Sequence, residues 1–213
     1  MTQYKRNQLE EAIAATLRTT GVQIQELRLK IKRLLLTDRR LHRAKRSDRG
    51  QDRYAFYSAK PQGTGTEVLF TGYEVFAVMA AVVVLEHGIP QAKVVSILQR
   101  VRSDLEVAHR ETLHKAPEEL FDQEAVRAQA RPGMIATDNT APVFLAFVKL
   151  DAGKGKVRAI VSICRGQDEL VRFIRQHSMP GSGATHFELV RLMHNLAAQL
   201  VQTRPVKRGR STI

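Results

Sequence analysis

The sequence has a single cysteine, Cys164, and no tryptophan among its 213 residues. One cysteine excludes an intrachain disulfide and fits a reducing compartment. The longest apolar run, Val75 to Leu85, has 11 residues, whereas a membrane-spanning helix needs roughly 20. The first residues show no apolar core of a signal peptide. We therefore expect a cytoplasmic protein of bacterial type, without a membrane segment.

Residue patterns that carry catalytic or metal chemistry are also scarce. His109 and His114 are five residues apart on a predicted helix and do not share a face as an i, i+4 pair of metal ligands would. Cys164 needs a positioned base to act as a nucleophile, for which His186 is the candidate; an inert thiol is the stronger interpretation. The acidic residues that follow Pro117 suit the first turn of a helix. We expect no enzymatic activity, no metal and no cofactor.

Positive charge is abundant, but it is unevenly distributed. Of the net charge of +13, residues 1–53 contribute +8, from 14 Lys/Arg and 6 Asp/Glu. The last 13 residues add four cations and no acid, which leaves about +1 for residues 54–200. A nearly neutral body with basic ends is typical of a protein that binds a polyanion, most simply nucleic acid.

The N-terminal region is predicted to be helical. Leu9, Ile13 and Leu17 recur at helical spacing and predict a helix over residues 5–17. A similar stripe predicts a second helix over 23–42, which Asp38 interrupts and whose other face is basic. Residues 43–65 have the composition of a linker, within which residues 54–57 are compatible with a short strand.

The basic residues of segment 28–53 and of the C-terminal tail are candidate contacts to nucleic-acid phosphates. Such contacts hold the backbone with little sequence preference. A solvated helix face is the alternative for the first group, and a solubilising terminus for the second. The candidates are Arg28, Lys32, Arg39, Arg40, Arg43, Lys45, Arg46, Arg49, Lys207, Arg208 and Arg210.

The clearest local signals surround an apolar segment in the middle of the chain. Thr71 and Glu74 fit a capping box, which predicts a helix that starts after Thr71. Gly88 and Pro90 predict its end. Because residues 75–85 are apolar on all sides, we expect this helix to be the central core element. A further helix is predicted over 91–115, with one apolar face.

This helix–glycine–helix segment resembles the helix-turn-helix of DNA-binding proteins at the level of the motif. With Gly88 as the turn glycine, the usual apolar positions fall on Val83, Ile89, Val94 and Ile97. Val84 and His87 depart from the pattern, which has a small and an apolar residue there. The resemblance implies that a helix starting at Gln91 enters the major groove. Its candidate contacts are Gln91, Lys93, Ser96 and Arg100; an ordinary helical hairpin is the alternative.

The C-terminal region has a different pattern. Two β-rich runs, 142–150 and 157–164, flank a Gly/Lys loop and predict a hairpin. A helix over 167–177, a strand around 185–189 and a helix over 190–203 complete a β-β-α-β-α unit. The fold class is therefore predicted to be α+β, with a mainly helical N-terminal two-thirds.

These observations predict four regions and a function. The regions are a basic helical segment with its linker (1–53), a helical domain with the helix-turn-helix-like pair (54–130), a small α+β domain (140–203) and a basic disordered tail (204–213). We expect a DNA-binding protein of the transcriptional-regulator type, with DNA favoured over RNA as the partner. Such regulators are commonly homodimers. The alternatives are an adaptor that docks a partner protein through helix 23–42, and an RNA-binding protein.

Overall fold

A computed structural model shows a mixture of helices and small antiparallel sheets, which confirms the α+β class. The structure describes residues 2–44, 54–59, 67–151, 157–180 and 182–204, with the backbone alone at 43, 44, 150, 151, 157 and 158. Within these ranges, no helix combines the length and the hydropathy needed to cross a membrane.

The helices and strands have the following bounds. The helices are α1 (Arg6–Thr16), α2 (Val22–Ala44), α3 (Gly72–Glu86), α4 (Gln91–Leu113), α5 (Pro117–Leu120), α6 (Gln123–Gln129), α7 (Gln167–His177) and α8 (Val190–Gln202). The strands are β1 (Gln3–Lys5), β2 (Leu69–Thr71), β3 (Val143–Asp151), β4 (Val157–Arg165) and β5 (Gly183–Glu188).

The chain divides into two compact units. The first comprises residues 1–99 and 195–213, and the second comprises residues 100–194. Both boundaries fall inside helices, α4 and α8, so that each of these helices contributes residues to both units.

Helix α3 is the core element of the first unit, as its composition predicts. It is buried without interruption from Tyr73 to Val82. The predicted capping box is present: the Glu74 amide donates to Thr71 Oγ1 (3.2 Å) and the Thr71 amide donates to the Glu74 carboxylate (2.7 Å). Gly88 has a φ of +76° just beyond the helix, a conformation that glycine adopts without strain.

Residues 54–57 do not form the short strand that their composition allowed. Instead, Tyr54, Phe56 and Tyr57 are buried as irregular chain. Asp38 of α2 holds this segment, because its carboxylate accepts hydrogen bonds from the amides of Ala55 and Phe56, each 3.0 Å long. Asp38 interrupts the apolar stripe of α2 because it makes this structural contact.

A two-stranded antiparallel sheet, absent from the sequence prediction, joins the start of the chain to the start of α3. Strand β1 pairs with β2 in the register Tyr4↔Phe70. Three-residue strands leave little periodicity to detect, and these two lie far apart in sequence. The pairing places the first turn of α1 beside residues 67–70.

The second unit contains a three-stranded antiparallel sheet in the order β4-β3-β5. The predicted hairpin is confirmed, with Phe144 paired with Cys164 across β3 and β4. One face of the sheet packs against α7 through Phe144, Ala146, Val148, Cys164, Leu170 and Phe173.

Candidate nucleic-acid interface

Helix α2 has one buried side and one strongly basic side. Leu27, Ile31 and Leu34 are buried, as the predicted stripe requires. The exposed and half-exposed positions carry one acid, Glu26, and a set of cations. The described cationic side chains are Arg28, Lys30, Lys32, Arg33, Arg39 and Arg40.

Three of these cations line one groove. Arg28, Lys32 and Arg39 follow one another at i, i+4 and i+11, which places them on one face of α2 over about 16 Å of helix axis. The groove encloses about 890 Å³ between α2, the first turn of α1 and the segment around β2. Its other lining residues are Lys5, Arg6, Asn7, Glu10, Gln25, Leu29, Leu35, Leu36, Tyr57, Glu67, Val68 and Phe70.

Two carboxylates neutralise part of the groove. Glu10 pairs with Arg6 (Nε–O 2.7 Å) and with Arg28 (Nε–O 3.5 Å), and Glu67 pairs with Lys5 (Nζ–O 2.9 Å). Within the described ranges, Lys32 and Arg39 have no ion-pair partner. Lys32 and Arg39 are therefore the groove cations whose charge no carboxylate of the described residues offsets.

Arg39 is held in place by an aromatic ring. Its guanidinium carbon lies 5.2 Å from the centre of the Tyr57 ring, within the range of a cation–π contact. Burial raises the pKa of Tyr57, and the charge of Arg39 and a hydrogen bond to it oppose that shift. The guanidinium is thus oriented at the groove wall rather than free to rotate in solvent.

Two buried donors of the groove residues lack an acceptor. Arg39 Nε and Asn7 Nδ2 are both buried and have no hydrogen-bond partner among the described residues. A buried donor left without a partner costs about 1–3 kcal/mol, and most buried polar groups in folded proteins are paired.

The candidate base contacts of α4 lie in a different environment. Gln91 is half-buried, and its amide donates to the Arg33 carbonyl oxygen (3.0 Å) and to Thr37 Oγ1 of α2. Lys93 and Ser96 are half-buried. Arg100 is exposed and donates to the Ala159 carbonyl oxygen at 2.9 Å. The side chains of Gln91 and Arg100 thus hydrogen-bond to the protein itself.

The remaining predicted contacts are placed as follows. Arg40 is exposed on α2 and does not line the groove. Arg43 belongs to α2 by its backbone, while its side chain lies outside the described atoms. Outside the described residues altogether are Lys45, Arg46, Arg49, Lys207, Arg208 and Arg210.

The sequence interpretation missed the contribution of α1 to this surface. Lys5, Arg6 and Asn7 reach the groove because β1 pairs with β2, a contact between residues more than 60 positions apart. No local pattern indicates that pairing. Lys30 and Arg33, by contrast, belong to the basic stretch that the sequence identifies, although neither is among the predicted contacts.

The strand order separates His186 from Cys164, the residue for which it is the candidate base. Cys164 is on β4 and His186 is on β5, with β3 between them, so that the two backbones are about 10 Å apart. The thiol is buried, and burial raises its pKa to about 11. Among the described residues, no group of three or more His, Cys, Asp or Glu side chains is placed to hold a metal ion.

Comparison with protein-family models and with curated proteins finds no match to this chain.

Proposed function

We propose that this protein binds duplex DNA through the basic side of α2 and acts as a transcriptional regulator of bacterial or phage type. The observation that carries the proposal is the set of six cations on α2. Lys30 pairs with Glu86 and Arg28 with Glu10, and the other four have no ion-pair partner among the described residues. Such a surface attracts a polyanion over long range and releases condensed counterions on contact.

The length of the stripe supports a phosphate backbone as the ligand. Arg28 and Arg39 are about 16 Å apart along the helix axis. One strand of a DNA duplex carries one charge per roughly 3.4 Å of its axis, so a stripe of this length spans several phosphates. A single small anion would not engage the whole stripe.

Helix α2 also offers groups that can contact base edges. Gln23, Gln25 and Arg28 are exposed in its N-terminal half, next to Leu29, which is 52% exposed. Amide and guanidinium groups pair with purine edges, and apolar groups contact the thymine methyl. The five-residue turn between α1 and α2 ends at Gly21, whose φ is +59°. We therefore favour α2 over α4 as the helix that enters the major groove.

The test of DNA binding uses two variants with equal loss of charge. Lys32→Gln/Arg40→Gln removes two cations from α2, and Arg172→Gln/Arg175→Gln removes two exposed cations from α7. Fluorescence anisotropy with random duplex DNA over a salt series should show about tenfold or greater weakening for the α2 variant at about 0.15 M salt. The slope of log K against log salt should fall by about two, since each contact contributes about 0.9. Equal losses in both variants would reject α2 as the contact surface.

A second comparison separates the two candidate recognition helices. Gln25→Ala should change the preference among duplex sequences selected from a random pool, because its amide is exposed on α2. If α4 reads the bases instead, Lys93→Ala changes that preference and Gln25→Ala does not. Parallel titrations with duplex RNA distinguish the RNA-binding alternative.

The adaptor alternative has one observation in its favour. Leu29 and Leu36 are 52% and 42% exposed and both line the groove, so an amphipathic partner helix could bury them. An adaptor predicts that wild-type protein does not bind duplex DNA near physiological salt. Binding that depends on the α2 cations excludes it as the primary function.

A further inference from the structure

We propose that the groove between α1 and α2 contains a phosphate subsite, in which Arg39 Nε and Asn7 Nδ2 donate hydrogen bonds to one phosphodiester group of the bound duplex. This inference rests on the proposed DNA binding and names two side-chain donors that would contact one phosphate of the DNA. The two donors are buried at the groove and lack an acceptor among the described residues. A phosphate group supplies several oxygen acceptors at once.

The charge of the groove suits a phosphodiester at this place. Arg28, Lys5 and Arg6 are compensated by Glu10 and Glu67, whereas Lys32 and Arg39 have no ion-pair partner within the described ranges. Anion binding is therefore favoured near Arg39 and Lys32. Glu10 lies one helical turn from Asn7 on α1, and its carboxylate is engaged by Arg6 and Arg28.

The fold orients both donors before a ligand arrives. The Tyr57 ring supports the Arg39 guanidinium, and Asn7 lies in the first turn of α1. That turn, at the positive end of the α1 dipole, contributes Arg6 and Asn7 to the groove lining. A preoriented planar guanidinium binds phosphate with geometry as well as charge, which an ammonium group does not reproduce.

The experiment compares variants that leave the net charge unchanged. Arg39→Lys keeps the charge and removes Nε, and its matched control is Arg172→Lys at an exposed position of α7, outside the proposed contact surface. Asn7→Ala removes the second donor, and its control is Asn195→Ala, at an exposed position of α8. Each variant is first checked for an unchanged thermal unfolding midpoint. Asn7→Ala serves as the test on its own if Arg39→Lys proves unstable.

The expected result is that Arg39→Lys and Asn7→Ala each weaken binding to random duplex DNA by about five- to tenfold, while both controls stay within about twofold. The salt slope should stay unchanged, because no charge is lost. The double variant should lose less than the product of the two single effects, since both donors contact one phosphate.

Other outcomes overturn the subsite. Wild-type affinity in both donor variants, with strong binding by wild-type protein, rejects the subsite and leaves DNA binding by α2 intact. Absence of duplex binding by wild-type protein rejects the proposed function itself. If inorganic phosphate then raises the unfolding midpoint of wild-type protein but not of Asn7→Ala, at matched ionic strength, the ligand is a free phosphate and the nucleic-acid assignment is wrong.

Discussion

At the scale of single residues, burial decides which titratable groups matter for stability. His109 is 8% exposed on α4, and burial together with the nearby His194 lowers its pKa from 6.5 to about 4. Burial also lowers the pKa of His194 itself. These histidines are therefore neutral in the folded protein at pH values where they are partly charged in the unfolded chain.

We predict that His109 makes the protein acid-sensitive. As the pH falls from 6.5 toward 4, the unfolded chain binds a proton at His109 and the folded protein does not, so stability falls. Near pH 4.5 the loss is about 2 kcal/mol relative to neutral pH, because a tenfold change in proton affinity corresponds to about 1.4 kcal/mol. His109→Gln should reduce the pH dependence of the urea unfolding free energy by that amount. The exposed His114→Gln is the control, and an equal effect there would contradict the assignment.

At the scale of elements, one buried carboxylate holds residues 54–57 in place by hydrogen bonds, although this segment has no regular secondary structure. Asp38 is fully buried in α2, where it accepts hydrogen bonds from the Ala55 and Phe56 amides and from the Gln99 side chain (2.9 Å). The carboxylate satisfies backbone groups that a strand partner would otherwise pair. This explains how residues 54–57 are buried without secondary structure.

We predict that Asp38→Ala is strongly destabilising. It leaves two buried backbone amides without an acceptor, at about 1–3 kcal/mol each, so the free energy of unfolding should fall by about 3 kcal/mol or more. Asp104→Ala, which truncates an exposed carboxylate on α4, should change it by less than about 0.5 kcal/mol. Urea unfolding followed by circular dichroism measures both. A loss below about 1 kcal/mol in Asp38→Ala would show that the contact is dispensable.

At the scale of the whole molecule, the segregation of charge extends beyond the groove. Three cations of the C-terminal tail, Lys207, Arg208 and Arg210, are predicted phosphate contacts that lie outside the described residues. Together with α2 they make both ends of the sequence basic. The proposed DNA binding would then involve more than one segment of the chain.

We predict that replacing Lys207, Arg208 and Arg210 together with glutamine lowers the salt slope of duplex binding by about 2.7, at about 0.9 per contact. Sequence preference should stay the same, because phosphate contacts position the protein without reading bases. Anisotropy titrations over a salt series measure the slope. An unchanged slope would identify the tail as a solubilising terminus.

Much of the fold was predictable because its signals are local. The capping box at Thr71, the glycine at Gly88 and the uniformly apolar α3 lie within a few turns of one another. The hairpin of β3 and β4 has a short connection between two β-rich runs. Each of these elements is specified by residues close together in sequence, and the structure has them at nearly the predicted bounds.

The sequence by itself determined the class, the positions of the main helices and strands, and the basic side of α2, since helical periodicity alone places Arg28, Lys32 and Arg39 on one face. Tertiary structure decided the groove, because β1 had to pair with β2 before Lys5 of β1 and Arg6 and Asn7 of α1 could line it. It also gave Gln91 a partner on α2. Contacts between residues about 50 or more positions apart leave no periodicity in a single sequence, so only the folded chain shows which cations share a surface.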